Sequence, residues 1–506
     1  MLQNHILLTG GTGLLGRYLL RDLLLKQCRL ALLVRPSQRE SCQDRTEAIL
    51  QAWETELDQV LPRPVVLEGD ICAPYLGLSE RDRDWLSENC NTALHSAASL
   101  EFHEVASGEP YRSNIGGVKN MLDVCEQVGI NQFHYVSTAY VAGLRPGVVK
   151  ECELDVGQEF RNDYEKSKCE AEKLVRQATC FDSLTVYRPA VISGDSVSGY
   201  TSTYHGLYLY LKLMSILVRN TPPGPDGVRD TPVRTELTGD EKRNVIPVDW
   251  VSEVMTHLVT TPESHGLTYH LAPEIPLTPR EMIEAGYTYF NSRGVIFEGP
   301  SAQATGPISE IDRNAHENIG MYREYEECDP SFDLTNLRKH AGHIPCPPID
   351  EAMLHRYLKF GEADRWGKRR PPATKPYNSI QQQLEALLSP ASETLEYHPL
   401  RVNLFILGPG GGDWKLSIQQ GQLVAIERGS YQCPQASIET DTKTLESLQT
   451  SAALESEQPH LVLQCSSENQ REELEIQIAD ALQIRLKPEG SFRSAANSTS
   501  RCGALR

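Results

Sequence analysis

Tyr164-Glu-Lys-Ser-Lys168 sets a phenol and an ammonium four residues apart. On a helix that spacing puts both on one face. A free phenol has a pKa of about 10 and exchanges protons poorly at neutral pH. A nearby cation favours the phenolate and lowers that value. The tyrosine can then trade a proton with a carbonyl or hydroxyl oxygen. The same spacing recurs at Tyr208 and Lys212, but context separates the two. Tyr164 lies 26 residues after Thr138, and Ser137-Thr138 directly follows an apolar run, Phe133 to Val136. A hydroxyl at a strand end can meet a tyrosine on the next helix. Tyr208 has no such hydroxyl upstream and sits in an apolar helix pattern.

A second constellation opens the chain. Thr9-Gly10-Gly11-Thr12-Gly13-Leu14-Leu15-Gly16 joins a strand-like run to a helix-like one. Gly10 permits a tight turn, Gly13 lets backbone approach a pyrophosphate, and Gly16 lets the helix pack close to the strand. The helix N-terminus adds free N–H groups and partial positive charge. After the second strand, where NAD-specific enzymes carry an acidic residue, stands Arg35. A guanidinium there suits the 2′-phosphate of NADP(H), and Arg45 is placed to help. Asp70 and Ile71 follow the third strand and are positioned for the adenine ring.

These residues need a scaffold, and the first 190 or so residues alternate strand and helix patterns. His5 to Leu8, Leu30 to Val34, Val65 to Leu67, Thr92 to Leu94, Phe133 to Val136 and Leu184 to Tyr187 read as buried strands with helices between them. That alternation predicts a parallel sheet covered on both faces, a Rossmann-type doubly wound α/β fold. A less regular, smaller substrate lobe is expected over about 196–365, closing a domain of 1–365, with the cofactor part over about 1–195. Residues 366–385, charged and proline-rich, read as a linker. Beyond it, Val402, Leu404 and Ile406 alternate, as do Trp414, Leu416 and Ile418, with Pro409 to Asp413 as the turn. A separate α+β domain is expected over 386–490, with antiparallel strands and a helix from Thr442 to Leu454, then a disordered tail over 491–506.

Composition narrows the function. The 506 residues carry a net charge of -19, which argues against nucleic acid as a partner. The 13 cysteines show no CxxC pair and no metal-ligand spacing, which suits reduced thiols in the cytoplasm and no metal. No signal core and no run of apolar residues long enough for a transmembrane segment is found.

TGGTGLLG at 9–16, HSAA at 95–98, NIGG at 114–117, VSTAYVAG at 136–143, YEKSK at 164–168 and YRPAVISGDSVSG at 187–199 together resemble the extended short-chain dehydrogenases/reductases. More narrowly, Asn162 to Lys168, Gly194-Asp195, Asn244 to Asp249 and Phe332 to Asn336 are similar to the thioester reductase and fatty acyl-CoA reductase branch, over about 1–360. The resemblance implies a Thr138, Tyr164, Lys168 triad with Asn114 as a fourth member. It also implies that Ala97, Ala98, Pro189 and Ile192 lie against the cofactor. His95-Ser96-Ala97-Ala98 departs from the HNAA usual in that branch, and Glu101 and His103 just beyond are read as ordinary loop residues. About 386–490 is faintly similar to sterol-carrier-protein type lipid-binding modules, implying a lipid ligand there.

The expected activity is NADPH-dependent reduction of a fatty acyl thioester, on coenzyme A or a carrier protein, to an aldehyde or alcohol. Two alternatives are weighed beside it. One is a dehydrogenase or epimerase of a sterol or nucleotide sugar, against which Arg35 weighs. The other is a non-enzymatic cofactor-sensing or lipid-binding protein, which has no need of Thr138, Tyr164 and Lys168 together.

Overall fold

The computed structural model describes residues 4–38, 40–299, 328–369, 380–389, 399–431, 433–445, 461–465, 470–484 and 493–494. Strands β1 (His5–Thr9), β2 (Leu30–Val34), β3 (Val65–Glu68), β4 (Cys90–His95) and β5 (Gln132–Val136) join Ser183–Pro189 and Thr268–Leu271 in one seven-stranded sheet. Every pairing in it is parallel. Reading across from Thr268–Leu271, the order is Ser183–Pro189, β5, β4, β1, β2, β3. Strand order therefore reverses between β1 and β4. In open α/β sheets the ligand crevice forms outside the carboxyl ends of the strands at such a reversal.

Helices cover both faces, as continuous apolar strands require. Helix α1 (Leu14–Leu25) buries Leu15, Tyr18, Leu19 and Leu23 and packs with the helix Val248–Val259 on one face. Helix α2 (Cys42–Leu57) starts at Ser41, whose hydroxyl accepts the Asp44 N–H and satisfies a free donor of the first turn. Helix α3 (Glu80–Asn89) leads into β4. Helices α4 (Gly117–Val128) and α5 (Asp163–Gln177) cover the other face, where Val118, Met121, Ala171 and Val175 meet Phe133 and Tyr135. The smaller lobe packs the helices Leu207–Asn220, Pro279–Phe290 and Glu351–Ala363 around one core. Tyr208 lies inside it, 1% exposed, its hydroxyl donating to the Gly199 carbonyl. A phenol spent this way on structure offers no proton to a ligand.

The second unit is one mixed sheet. Leu400–Leu407 pairs antiparallel with Gly412–Gln419, which pairs antiparallel with Gln422–Arg428. Ala436–Asp441 lies parallel to Leu400–Leu407 on its other side, followed by Leu461–Cys465. Val402, Leu404, Ile406, Trp414, Leu416 and Ile418 form its buried face, as their alternation predicts. Its boundaries differ from those expected. Ile380 and Leu384, within the expected linker, are fully buried in this core on the helix Ile380–Ala386. Arg493–Ser494, within the expected tail, pairs with Val462 and Leu463. Apolar side chains and free strand edges find partners that a reading by composition cannot see. Residues 370–379, 446–454 and 495–506 lie outside the described residues.

This unit meets the first sheet at the amino ends of its strands. The Trp85 indole N–H donates to the Arg428 carbonyl at 2.6 Å, and Arg29 donates to the Ser430 hydroxyl. Lys415 pairs with Glu88 at 3.3 Å, and Asp413 lies 3.7 Å from both His5 and Arg29.

Candidate active site

The glycine turn sits at the carboxyl end of β1. Gly10 adopts φ +75°, which glycine reaches without strain, and the Gly13 N–H closes the turn on the Gly10 carbonyl at 2.9 Å. A Cβ on Gly16 would stand 1.9 Å from that carbonyl, and one on Gly10 would stand 2.8 Å from the Ala97 nitrogen. Gly13 is exposed, and Leu14 begins the helix with the free N–H groups of its first turn. Gly11 packs on Leu32, and Leu15 faces the core. Such a cradle leaves bare backbone where a pyrophosphate needs it, so the residues fit a dinucleotide.

Thr9 ties the turn to its neighbour. Its buried hydroxyl accepts the N–H groups of Ser96 and Ala97, both at 3.2 Å, and meets His95 Nδ1 at 2.8 Å. Ala97 thus lies against Gly10, and Ala98 follows it, exposed. On the other side of the turn, Arg45 donates to the Arg35 carbonyl at 2.7 Å and to the Thr12 hydroxyl at 3.2 Å. Arg35 itself is exposed at the end of β2. Arg45 therefore ties the end of β2 to the glycine turn. The Asp70 carboxylate accepts the Cys72 N–H at 2.9 Å, and Ile71 packs on Gly117 at the start of α4. Ile192 pairs with Ile246 next to the core.

Tyr164 and Lys168 lie on the first turns of α5. Asn162 caps that helix by accepting the Glu165 N–H at 3.0 Å. The Tyr164 phenol meets the Thr138 hydroxyl, which in turn reaches the Pro189 carbonyl at 3.4 Å. Its titration departs from the expectation. Tyr164 is pushed up to about 12, chiefly by burial and then by the Glu165 carboxylate, which outweigh the Thr138 hydrogen bond. The Lys168 ammonium is turned onto the Val136 carbonyl at 2.8 Å, and burial pulls it down to about 7. Desolvation, which spacing along a helix does not reveal, sets the direction of the phenol's shift, and Lys168 is not among its causes. Tyr164 is consequently protonated throughout the neutral range.

Asn114 is 1% exposed in a short π-helical stretch, Arg112–Gly116. Its amide accepts the Ser99 N–H at 2.8 Å and donates to the Ser99 carbonyl at 3.2 Å and to the Ser167 hydroxyl at 2.9 Å. It clamps the loop after β4 to α5. Ser167, which sequence reasoning passed over, completes the clamp by donating to the Tyr164 carbonyl at 2.8 Å. Its signal was its place directly before Lys168. Phe102 was missed as well: its carbonyl accepts the N–H groups of Asp163 and Tyr164, and its ring lies 6.3 Å from that of Tyr164. Glu101 is exposed in the same loop. Among the described residues no cluster of metal-ligating side chains occurs, and no helix is long and apolar enough to cross a membrane.

Residues 8–255 match the family model described as Male sterility protein. The chain is similar to the nonribosomal peptide synthetase asaC of Aspergillus flavus, at 27% identity over 67% of this chain and 34% of that protein. It is also similar to a Drosophila melanogaster protein described as a fatty acyl-CoA reductase, CG8306, at 25% identity over 45% of this chain and 51% of that one. The chain thus spans about half or less of the length of these curated relatives. Among solved structures, the terminal R domain from the myxalamid PKS-NRPS biosynthetic pathway aligns with a TM-score of 0.59 at 26% identity, covering 73% of this chain and 93% of that domain.

Proposed function

We propose, for a chain whose N-terminal region is an extended short-chain dehydrogenase/reductase domain of the thioester reductase branch, that it reduces acyl thioesters with NADPH. The observation that carries this reading is the Tyr164 phenol. It lies beside Thr138, at the same end of the sheet as the glycine turn. A reduction consumes a proton at the carbonyl oxygen, and Tyr164 is the protonated group placed at that end of the sheet to give one.

NADPH, when bound, supplies the hydride. The glycine turn and the first N–H groups of α1 would hold its pyrophosphate, Arg35 and Arg45 its 2′-phosphate, and Asp70 and Ile71 would border the adenine. Ala97, Ala98, Pro189 and Ile192 would wall the nicotinamide side. As the thioester carbonyl carbon gains hydride, Tyr164 and Thr138 hydrogen-bond the oxygen on which charge builds. Tyr164 passes its proton to that oxygen, giving a hemithioacetal. The C–S bond then breaks, the thiol leaves with a proton, and an aldehyde remains. Lys168 supports Tyr164 and the cofactor ribose, and Asn114 holds the loop and helix in register.

The relatives bear on the substrate. A peptide synthetase and a fatty acyl-CoA reductase both suit an acyl group carried on a thiol, either coenzyme A or a carrier protein. The second unit, in this reading, holds an apolar chain against the inner face of its sheet, which displacement of a fluorescent fatty acid would test. For the reductase, loss of NADPH absorbance is followed with acyl-CoA of graded chain length and with acyl-carrier protein. Turnover that requires NADPH over NADH and disappears in Tyr164→Phe supports the proposal. No turnover with any thioester, in protein that still binds NADPH, overturns it.

A further inference from the structure

Beneath α5 the sheet carries groups that the reaction does not use directly. His95 and Tyr135 are register partners on β4 and β5, their rings stacked at 6.0 Å. Lys168 reaches down onto them. Its Nζ lies 4.7 Å from the centre of the Tyr135 ring. The Val136 carbonyl occupies one of its three N–H donors.

The charged and titratable neighbours of this ammonium can be taken element by element. From α5 come Tyr164, which is protonated, and Glu172, one turn on. Glu172 is itself shared by Arg188 at 2.6 Å and Arg176 at 2.7 Å, and the Ser137 hydroxyl at the end of β5 lies against it. Most of its charge is therefore already met. From β4 comes His95, whose tautomer follows from its partners. The Thr9 oxygen accepts two backbone N–H groups, so its own hydrogen goes to Nδ1 and the ring proton stays on Nε2. Burial pulls His95 down to about 3, so it is neutral and turns a donor, not an acceptor, to its buried surroundings. Besides Glu172, which still favours the ammonium, what lies under it is the negative face of the Tyr135 ring, an attraction that grows as water is excluded. The Tyr135 hydroxyl is buried without a partner among the described residues, so the ring and not the hydroxyl is what this position uses.

We propose that Tyr135 is a positioning residue whose ring face keeps the Lys168 ammonium charged and in place on α5, one turn after Tyr164. The inference rests on Lys168 belonging to the catalytic set. Because burial already brings Lys168 down to about 7, modest changes in its surroundings move its titration across neutral pH.

The test uses the full chain labelled with carbon-13 at the lysine ε position. The Lys168 signal is assigned by its loss in Lys168→Arg, and its titration is followed by NMR. Wild type and Tyr135→Phe should titrate together. Tyr135→Leu should titrate about one pH unit lower, the size of a desolvated cation–π contact. In turnover with NADPH and an acyl thioester, the alkaline limb of the pH profile should move down by the same amount in Tyr135→Leu and stay put in Tyr135→Phe. An unmoved Lys168 titration in Tyr135→Leu overturns the proposal. So does an equal shift in both variants, or a loss of turnover that is the same at every pH. Lys168→Ala turning over like wild type would instead overturn the catalytic set, and it shows in turnover alone, leaving the NMR titration to decide the ring's hold on the ammonium.

Discussion

The two ends of the seven-stranded sheet meet very different partners. At the carboxyl ends of β1 and β4 stand Gly10, Gly13, Gly16 and Ala97, small residues that leave backbone N–H groups bare. Around the amino ends of β1, β2 and β4 stand His5, Arg29 and Trp85, large side chains already engaged with Asp413, Ser430 and Arg428. Strand carboxyl ends feed helix N-termini, whose unsatisfied donors suit anions. Strand amino ends receive the chain from helix C-termini and have no such surplus, so side chains make the contacts there. One end is built for ligand and the other for assembly, separated by the five residues of β1, roughly 17 Å. The second unit accordingly sits at the opposite end of the strands from the proposed chemistry.

Variants at the two ends should separate these roles. Tyr164→Phe should lower turnover by roughly 10²–10⁴-fold, the usual contribution of a positioned acid, while NADPH affinity and the thermal transition hold. Steady-state rates and a binding titration read this directly, and a large loss of NADPH affinity would break the division. Next in size, Arg45→Ala should weaken NADPH by about tenfold or more, at about 1.5–3 kcal/mol for a charge-assisted contact, and leave NADH unchanged. Equal weakening of both cofactors would place Arg45 at the turn rather than at the 2′-phosphate.

The opposite end should respond in stability and not in rate. Trp85 is packed 5.1 Å from His5, and Gly429 approaches it so closely that a Cβ there would lie 2.8 Å from the indole nitrogen. Trp85→Ala should therefore cost about 1–3 kcal/mol of docking, seen as faster proteolysis of the second unit, with reductase rates within about twofold of wild type. A matching fall in turnover would show that the two ends communicate.

The smallest effect concerns pH. Burial raises Asp413 from 3.8 to about 6 and lowers His5 from 6.5 to about 3. The docked Asp413 binds a proton that the freed group lacks, so its contribution to docking is lost as pH rises from about 4 to 6. The freed His5 binds a proton that the docked group lacks, so its contribution is gained as pH rises from about 3 to 6.5. The two oppose each other in the wild type. In Asp413→Asn only the His5 contribution remains, and docking should strengthen steadily over that range. Thermal melts across pH check the sign.

The glycine turn, the parallel sheet and the place of Tyr164 and Lys168 on one helix were legible in the sequence because each is local. Glycines between a strand and a helix, apolar runs of strand length, and a spacing of four on a helix are fixed by backbone geometry within a few residues. What was not legible joins distant segments. Arg45 meets Thr12 across 33 residues, Asn114 meets Ser167 across 53, and Trp85 meets Arg428 across 343. Such contacts depend on strand order and on which face each helix covers, and no local pattern encodes either. The direction of the Tyr164 shift belongs with them. The sequence shows the cation four residues away, but only the packed structure shows how completely water is removed, and desolvation decides the sign. The sequence by itself determined which chemical groups this protein owns and the local turns that carry them. Tertiary structure decided which of those groups meet, and in how dry a place, because both depend on burial summed over the whole fold.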